Sequence, residues 1–273
     1  MPEQPQKPNP SLPALPYVTH EILLATVDTG SDADNVAELA GREPGVAARL
    51  VAAANTAFFA GRPPVDGLRD AVVRLGMDRV RLLTASLLIA PAFDPSRCQP
   101  FNAAEYWGRA VGTGFAAAKL AAAANDGESA GTAQIAGLLH NIGLLLLAQS
   151  LPAETGAALA RHALDPKQDL NGLLRVHTGT EPGEAGAMLL REWGLPPGIV
   201  AAAEHVGGNA GYHGEHEGLV HVVETAAKWL EAGFDDAPDT VQEMVSPDAL
   251  KRISRECAKE QEAIDSLAVL LAR

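Results

Sequence analysis

The stretch of this chain best suited to chemistry is Gly137-Leu138-Leu139-His140-Asn141-Ile142-Gly143, an apolar helix that carries a histidine followed at once by an asparagine. A His-Asp pair in that setting would give a divalent ion one neutral nitrogen and one anionic oxygen, the ligand types of zinc, iron and manganese sites. Asn141 supplies no charge. The densest group of metal-ligating side chains lies elsewhere: His205, His213, His216 and His221, with Glu215 and Glu217 among them. Its His213-Gly214-Glu215-His216 segment adjoins the glycine-rich run Gly207 to Gly214, whereas zinc ligands need fixed geometry. A solvated loop is therefore the expectation over a metal site, with His213, His216 and His221 kept as the best metal candidates. No Walker-type glycine loop occurs, and no serine or cysteine stands in a nucleophile motif.

The elements that must position these residues are helical. Among 273 residues, 47% are hydrophobic but only 4% aromatic, so Ala, Leu and Val must build the core. Ala and Leu favour helix, and no period-2 alternation lasts long enough to argue for a sheet. An all-α fold follows. Tyr17 to Val27, Asn35 to Gly41, Pro44 to Ala57, Asp66 to Leu75 and Met77 to Ala90 read as helices. The Thr29-Gly30-Ser31-Asp32 run, Phe58-Phe59 with Pro63 and Pro64, and Gly76 read as stops. Asn102 and Glu105 have capping-box spacing and start a helix over Ala103 to Ala124 that carries Trp107 and Arg109. A loop from Asn125 to Gly131 leads into the helix with His140, which runs to about Gln149, and Pro152, Asp169 and Glu181 mark further starts. Trp193-Gly194-Leu195-Pro196-Pro197 ends one helix and begins another. Leu219 to Ala232 and Asp248 to Ala272 are the last two, the second with Leu250, Ile253, Cys257, Ile264, Leu267 and Leu271 near one stripe.

Charge and composition exclude several classes. The formal net charge of −13, with no Lys/Arg stripe, argues against a grip on DNA, since the phosphate backbone needs a basic face. No run of about 18 or more uncharged apolar residues and no basic region before an apolar one is evident, so neither a membrane span nor a secretory signal is expected. The cytoplasm is the expected place. The two cysteines, Cys98 and Cys257, share no ligand spacing, and reduced thiols are expected over a distant pair. Prolines crowd residues 1–16, which predicts an extended or disordered leader, and no 20–50-residue period marks a repeat array.

Several motifs in fixed order resemble those of a known family. Leu15-Pro16, Arg42-Glu43-Pro44, Ala48-Arg49-Leu50, Ala54-Asn55-Thr56-Ala57 and Ala71-Val72-Val73-Arg74-Leu75-Gly76 resemble the N-terminal half of an HDOD domain. Gly137-Leu138-Leu139-His140 and Trp193-Gly194-Leu195-Pro196 resemble its C-terminal half. The resemblance implies a two-lobed helical domain over 13–207, related in fold to the metal-dependent HD phosphohydrolases, between a leader at 1–12 and a loop with a C-terminal helical extension at 208–273. It also implies a module of bacterial signalling and gene regulation that is generally not an enzyme.

The same resemblance allows the ancestral metal site to be mapped. The early His of active HD enzymes falls on Arg109, the His-Asp pair on His140 and Asn141, and a further His on Pro182, after Thr180 and Glu181. His205 keeps the place of a helical His, and the late Asp falls near Glu224. An arginine is a fixed cation where a dication should sit, Asn141 removes an anionic bridge, and Pro182 has no ligating side chain. Neither catalysis nor a cofactor is expected. His140 is expected as a core histidine bonded to a carbonyl or carboxylate, and Arg109 as pairing with a carboxylate such as Glu224 or Glu181. Trp107 and Trp193 are expected to pack.

Three functions compete on these grounds. The leading one is a catalytically silent regulatory protein acting through a separate protein partner. The second is a divergent phosphohydrolase acting on a nucleotide or cyclic dinucleotide, with ligands from His140, His205 and the His213 to His221 cluster. The third is a nucleotide sensor that places Arg42, Arg49, Arg109 or Arg161 on phosphate oxygens. The C-terminal helix is open to two fates, a partner or its own domain.

Overall fold

Proline at the first helical position has no amide to leave unsatisfied and is preset for the turn, and this chain uses it repeatedly. Pro44, Pro152, Pro182, Pro197 and Pro247 each open a helix. The computed structural model describes residues 12–27, 33–55, 63–124, 129–208, 211–234 and 237–272, and among them there are fifteen α-helices and no strand. The first lobe holds α1 (Tyr17–Val27), α2 (Ala33–Gly41), α3 (Pro44–Ala54), α4 (Leu68–Leu75) and α5 (Met77–Ile89). The second holds α6 (Ala103–Ala124), α7 (Ala130–Leu139), α8 (Ile142–Ser150), α9 (Pro152–Leu164), α10 (Leu170–Thr178), α11 (Pro182–Glu192), α12 (Pro197–His205) and α13 (Glu217–Glu231). Two more follow, α14 (Asp239–Met244) and α15 (Pro247–Leu271). The expected stop at Thr29 to Asp32, Phe58-Phe59, most of the leader, the Asn125 to Glu128 loop and part of the Gly207 to Gly214 run lie outside the described residues.

The axis of the fold is α6, which packs on α7, α13, α15 and α5. Its alanines and glycines allow close approach. A Cβ on Gly137 of α7 would stand 2.8 Å from the Gly114 Cα of α6, so these two backbones are in direct contact and no larger residue fits either position. On the far side, a Cβ on Gly143 would stand 1.8 Å from the Pro182 carbonyl, which brings α8 hard against α11. Together these contacts fix the segment between α7 and α8.

That segment is where the structure departs from the expected single helix through His140. His140 ends α7, and Asn141, with φ −117° and ψ 24°, leaves helical geometry before α8 begins at Ile142. The His140 side chain bonds back to the Gly137 carbonyl, which caps the end of α7. The break also bears on membrane crossing. Residues 130–150 are long and apolar enough to cross a membrane by length and composition, contrary to the reading that no such window exists. They form two helices whose side chains are largely buried in the core.

Smaller departures have local causes. Asn102 Oδ1 accepts the Glu105 amide at 3.2 Å, but the Glu105 carboxylate turns to Arg109 rather than back to the cap, so only half of that capping box forms. A complete box closes the start of α11, between Glu181 and Glu184. Helix α3 stops at Ala54, where the Asn55 side chain bonds the Val65 amide and carbonyl instead of continuing the helix. The C-terminal helix α15 docks on α6 of its own domain, its buried side chains including Ile253, Cys257, Ile264 and Leu271.

Candidate functional site

The N-terminal half of α6, the turn between α7 and α8, and facing residues of α9, α10 and α13 enclose a cavity of about 400 Å³. Its apolar wall includes Phe101, Tyr106, Leu144, Leu159 and Leu230, and its polar groups include Glu105, Arg109, Thr113, His140, Asn141, His162 and Glu231. Three of the mapped positions, Arg109, His140 and Asn141, therefore line one cavity. The volume lies in the range of roughly 300–1,000 Å³ usual for small-molecule sites.

Arg109 is held at the mouth. Its guanidinium donates to Glu105 Oε1 at 3.0 Å, one turn back on α6, and stands 3.7 Å from Glu231 Oε1 on α13. The expectation that Arg109 pairs with a carboxylate is met by different partners from those expected. Glu224 pairs with Lys228 at 2.7 Å, and Glu181 pairs with Arg175 at 2.7 Å while capping α11. Helical periodicity explains the α13 correction: Glu231 lies on the same face as Glu224, two turns on, where α13 reaches α6.

His140 is half-buried and its Nδ1 lies 2.6 Å from the Gly137 carbonyl oxygen. A carbonyl only accepts, so Nδ1 carries the proton and, in the neutral ring, Nε2 is left as an acceptor. Burial holds His140 below its ordinary value; the Gly137 hydrogen bond opposes this, and the positive charge of Arg109 adds to the lowering. His162 repeats the arrangement across the cavity, with Nδ1 2.9 Å from the Gln168 carbonyl oxygen. Sequence reading did not single out His162. Its one signal was a histidine in the last turn of a helix beside Arg161, a common surface pattern. Tyr106 was also missed: it is 6% exposed, its hydroxyl has no hydrogen-bond partner among the described residues, and burial pushes its phenol up.

The remaining candidates stand apart from this cavity. The His205 ring stacks on Tyr212 at 4.4 Å, His213 Nδ1 meets Glu217 Oε1 at 2.8 Å, and His216 precedes α13, which carries an exposed His221. Pro182 is buried at the start of α11 against Gly143. Among the described residues, no three His, Cys, Asp or Glu side chains gather as metal ligands. Of the arginines considered for phosphate, only Arg109 lines the cavity. Arg42 lies 3.8 Å from Glu38, Arg161 donates to Gln168, and Arg49 lines a separate recess by Leu15. Trp107 packs edge-on to Tyr106, whereas Trp193 adds a bond to packing, its indole N–H donating to the Pro13 carbonyl at 2.9 Å. Cys98 and Cys257 are both free and buried.

Solved structures with this arrangement of helices come from several bacteria. A candidate signal-transduction protein of Marinobacter aquaeolei VT8 superposes with TM-score 0.81 and 25% identity, over 96% of this chain and 60% of that one. This chain thus spans less than two thirds of the Marinobacter chain's length. An HDOD domain protein of unknown function from Geobacter sulfurreducens gives TM-score 0.73 at 20% identity, covering 96% and 93% of the two chains. A candidate phosphohydrolase from Shewanella amazonensis SB2B gives 0.69 at 25% identity, covering 95% of each. A search of curated proteins found no match. The profile described as the HDOD domain matches residues 12–207, well over half of the sequence, and with the motifs and helices in the same order the chain belongs to the HDOD domain family.

Proposed function

We propose that this HDOD protein is a cytoplasmic signalling module that performs no hydrolysis at the ancestral metal position and passes its signal through contact with a separate protein. The observation that carries the reading is Arg109. At the position that the HD resemblance assigns to a metal ligand, a guanidinium is pinned between Glu105 and Glu231 and faces the same cavity as His140. A guanidinium there has no lone pair to give a dication, and two carboxylates against one guanidinium leave too little negative charge to hold a bare metal ion. Asn141 adds no anion, and one histidine nitrogen at His140 is committed to the helix end. The name of the Marinobacter neighbour points the same way, and that of the Shewanella neighbour points to hydrolysis.

The two readings separate experimentally. Untagged protein is analysed by elemental mass spectrometry and assayed with Mn²⁺ on bis(p-nitrophenyl) phosphate, beside His140→Ala and Arg109→His/Asn141→Asp. The silent reading expects substoichiometric transition metal and no turnover above the His140→Ala background. Chelator-sensitive turnover that His140→Ala abolishes would replace it with the phosphohydrolase. In-cell crosslinking, followed by reconstitution with the purified partner, tests the second half; a chain that crosslinks only to itself contradicts it.

A further inference from the structure

The cavity beside Arg109 has a charge balance that selects its ligand. Two carboxylates, Glu105 and Glu231, line it against one guanidinium. An adjoining groove of about 810 Å³ shares Glu105, Arg109, Leu230 and Glu231 with it and adds Gln261 and Asp265 from α15. Across the joined space there are three carboxylates to one arginine, and that arginine already serves two of them. A phosphate entering here would have to break those pairs and face the carboxylates released, so the surroundings disfavour an anion.

The neutral groups agree with the charges. His140 and His162 each give Nδ1–H to a backbone carbonyl, so each neutral ring presents Nε2 as an acceptor. Neither Nε2 can donate in that state. Asn141 makes no side-chain capping bond, and the apolar wall of Phe101, Leu144, Leu159 and Leu230 calls for a hydrocarbon or aromatic body. We infer that this cavity is a small-molecule sensor site for an organic cation, an apolar or aromatic body bearing a protonated amine. The amine meets the Glu105 and Glu231 carboxylates, the body fills the apolar wall, and α15 lends one edge of the entrance. This input does not depend on the output being a protein contact.

Binding to the full chain is measured by calorimetry and by ligand-detected NMR with three probes of one shape: 2-phenylethylamine, 2-phenylethanol and phenyl phosphate. The amine is expected to saturate at least about tenfold more tightly than the alcohol, the difference one well-placed charge contact supplies, with no saturation by the phosphate. Glu105→Gln/Glu231→Gln should bring the amine down to the alcohol's affinity. Both side chains are more than half exposed, so the fold is expected to survive, as a helical circular dichroism spectrum would verify. Ala163→Trp, at an exposed lining position, should block both ligands without touching a charge. Phosphate binding as tight as the amine's, an amine affinity indifferent to these variants, or no saturation by the amine would each overturn the proposal. None of those results bears on partner crosslinking, so failure here and failure of the protein-contact reading are read separately.

Discussion

The two ends of α6 use charge in opposite ways. Near its start, Arg109, Glu105 and Glu231 form pairs whose side chains are 59%, 58% and 67% exposed, at the rim of a cavity. Beyond its middle, Lys119 joins Asp78 at 3.0 Å and Glu256 at 3.6 Å, beside a bidentate Arg79 to Glu260 pair whose side chains are only 25% and 11% exposed. Exposed pairs contribute roughly 0–1 kcal/mol, whereas removing one member of a buried pair strands a charge. The second cluster therefore locks the C-terminal helix to the domain, and the first does little for stability. What distinguishes the first is that it shapes and charges a space large enough for a ligand.

The largest effect should come from breaking the lock. Glu260→Ala leaves Arg79 partly buried without its carboxylate and is expected to cost about 3 kcal/mol, read as a fall in the urea midpoint and as early proteolysis within α15. A loss no greater than that of Arg109→Ala would erase the contrast between the two ends. A chemical probe reports on the same lock. The Cys257 thiol faces inward from α15 and is pushed up to about 12, chiefly by burial and then by the Glu256 charge. It should resist iodoacetamide at pH 8 in the native protein and label readily in Glu260→Ala, with peptide mapping to separate it from Cys98. Equal labelling in both proteins would show that α15 was never held.

Much of this was legible beforehand, for a physical reason. Helix ends here are written in Pro44, Gly76, Asp169 and Pro182, whose backbone and side-chain chemistry act locally. The break at His140-Asn141 was not legible, because the apolar run continues through it and the turn is imposed by α6 and α11 pressing on Gly137 and Gly143. The site was half legible. Family order placed Arg109, His140 and Asn141 together, and all three line the cavity. Glu231 and His162 were invisible, since each reaches the cavity only through helix-on-helix packing that no local pattern records.

A pH test sharpens the view of the open end. His140 is held below its ordinary value of 6.5, so in the folded protein it prefers to stay neutral. Between its folded value and 6.5 the unfolded chain binds more protons, and stability must rise with pH there. Its contribution is therefore complete above about 6.5 and is lost as pH falls toward the folded value. Urea midpoints at pH 7.5 and 5.5 should differ more in the wild type than in His140→Gln; an equal difference would assign the loss to other groups.

The smallest expected effect on stability is the most specific. Arg109→Ala should change unfolding free energy by no more than about 0.5 kcal/mol, because both its ion pairs are exposed. Yet it removes one of the two causes that lower His140, so the His140 titration followed by NMR should move up toward, without reaching, the ordinary value, because burial remains. A large destabilisation with an unmoved His140 would make Arg109 a structural brace like Arg79, and the two ends of α6 would then be the same device. A small destabilisation with a raised His140 would mean that the arginine acts on the cavity's electrostatics rather than on the fold, which is what separates a site from a lock.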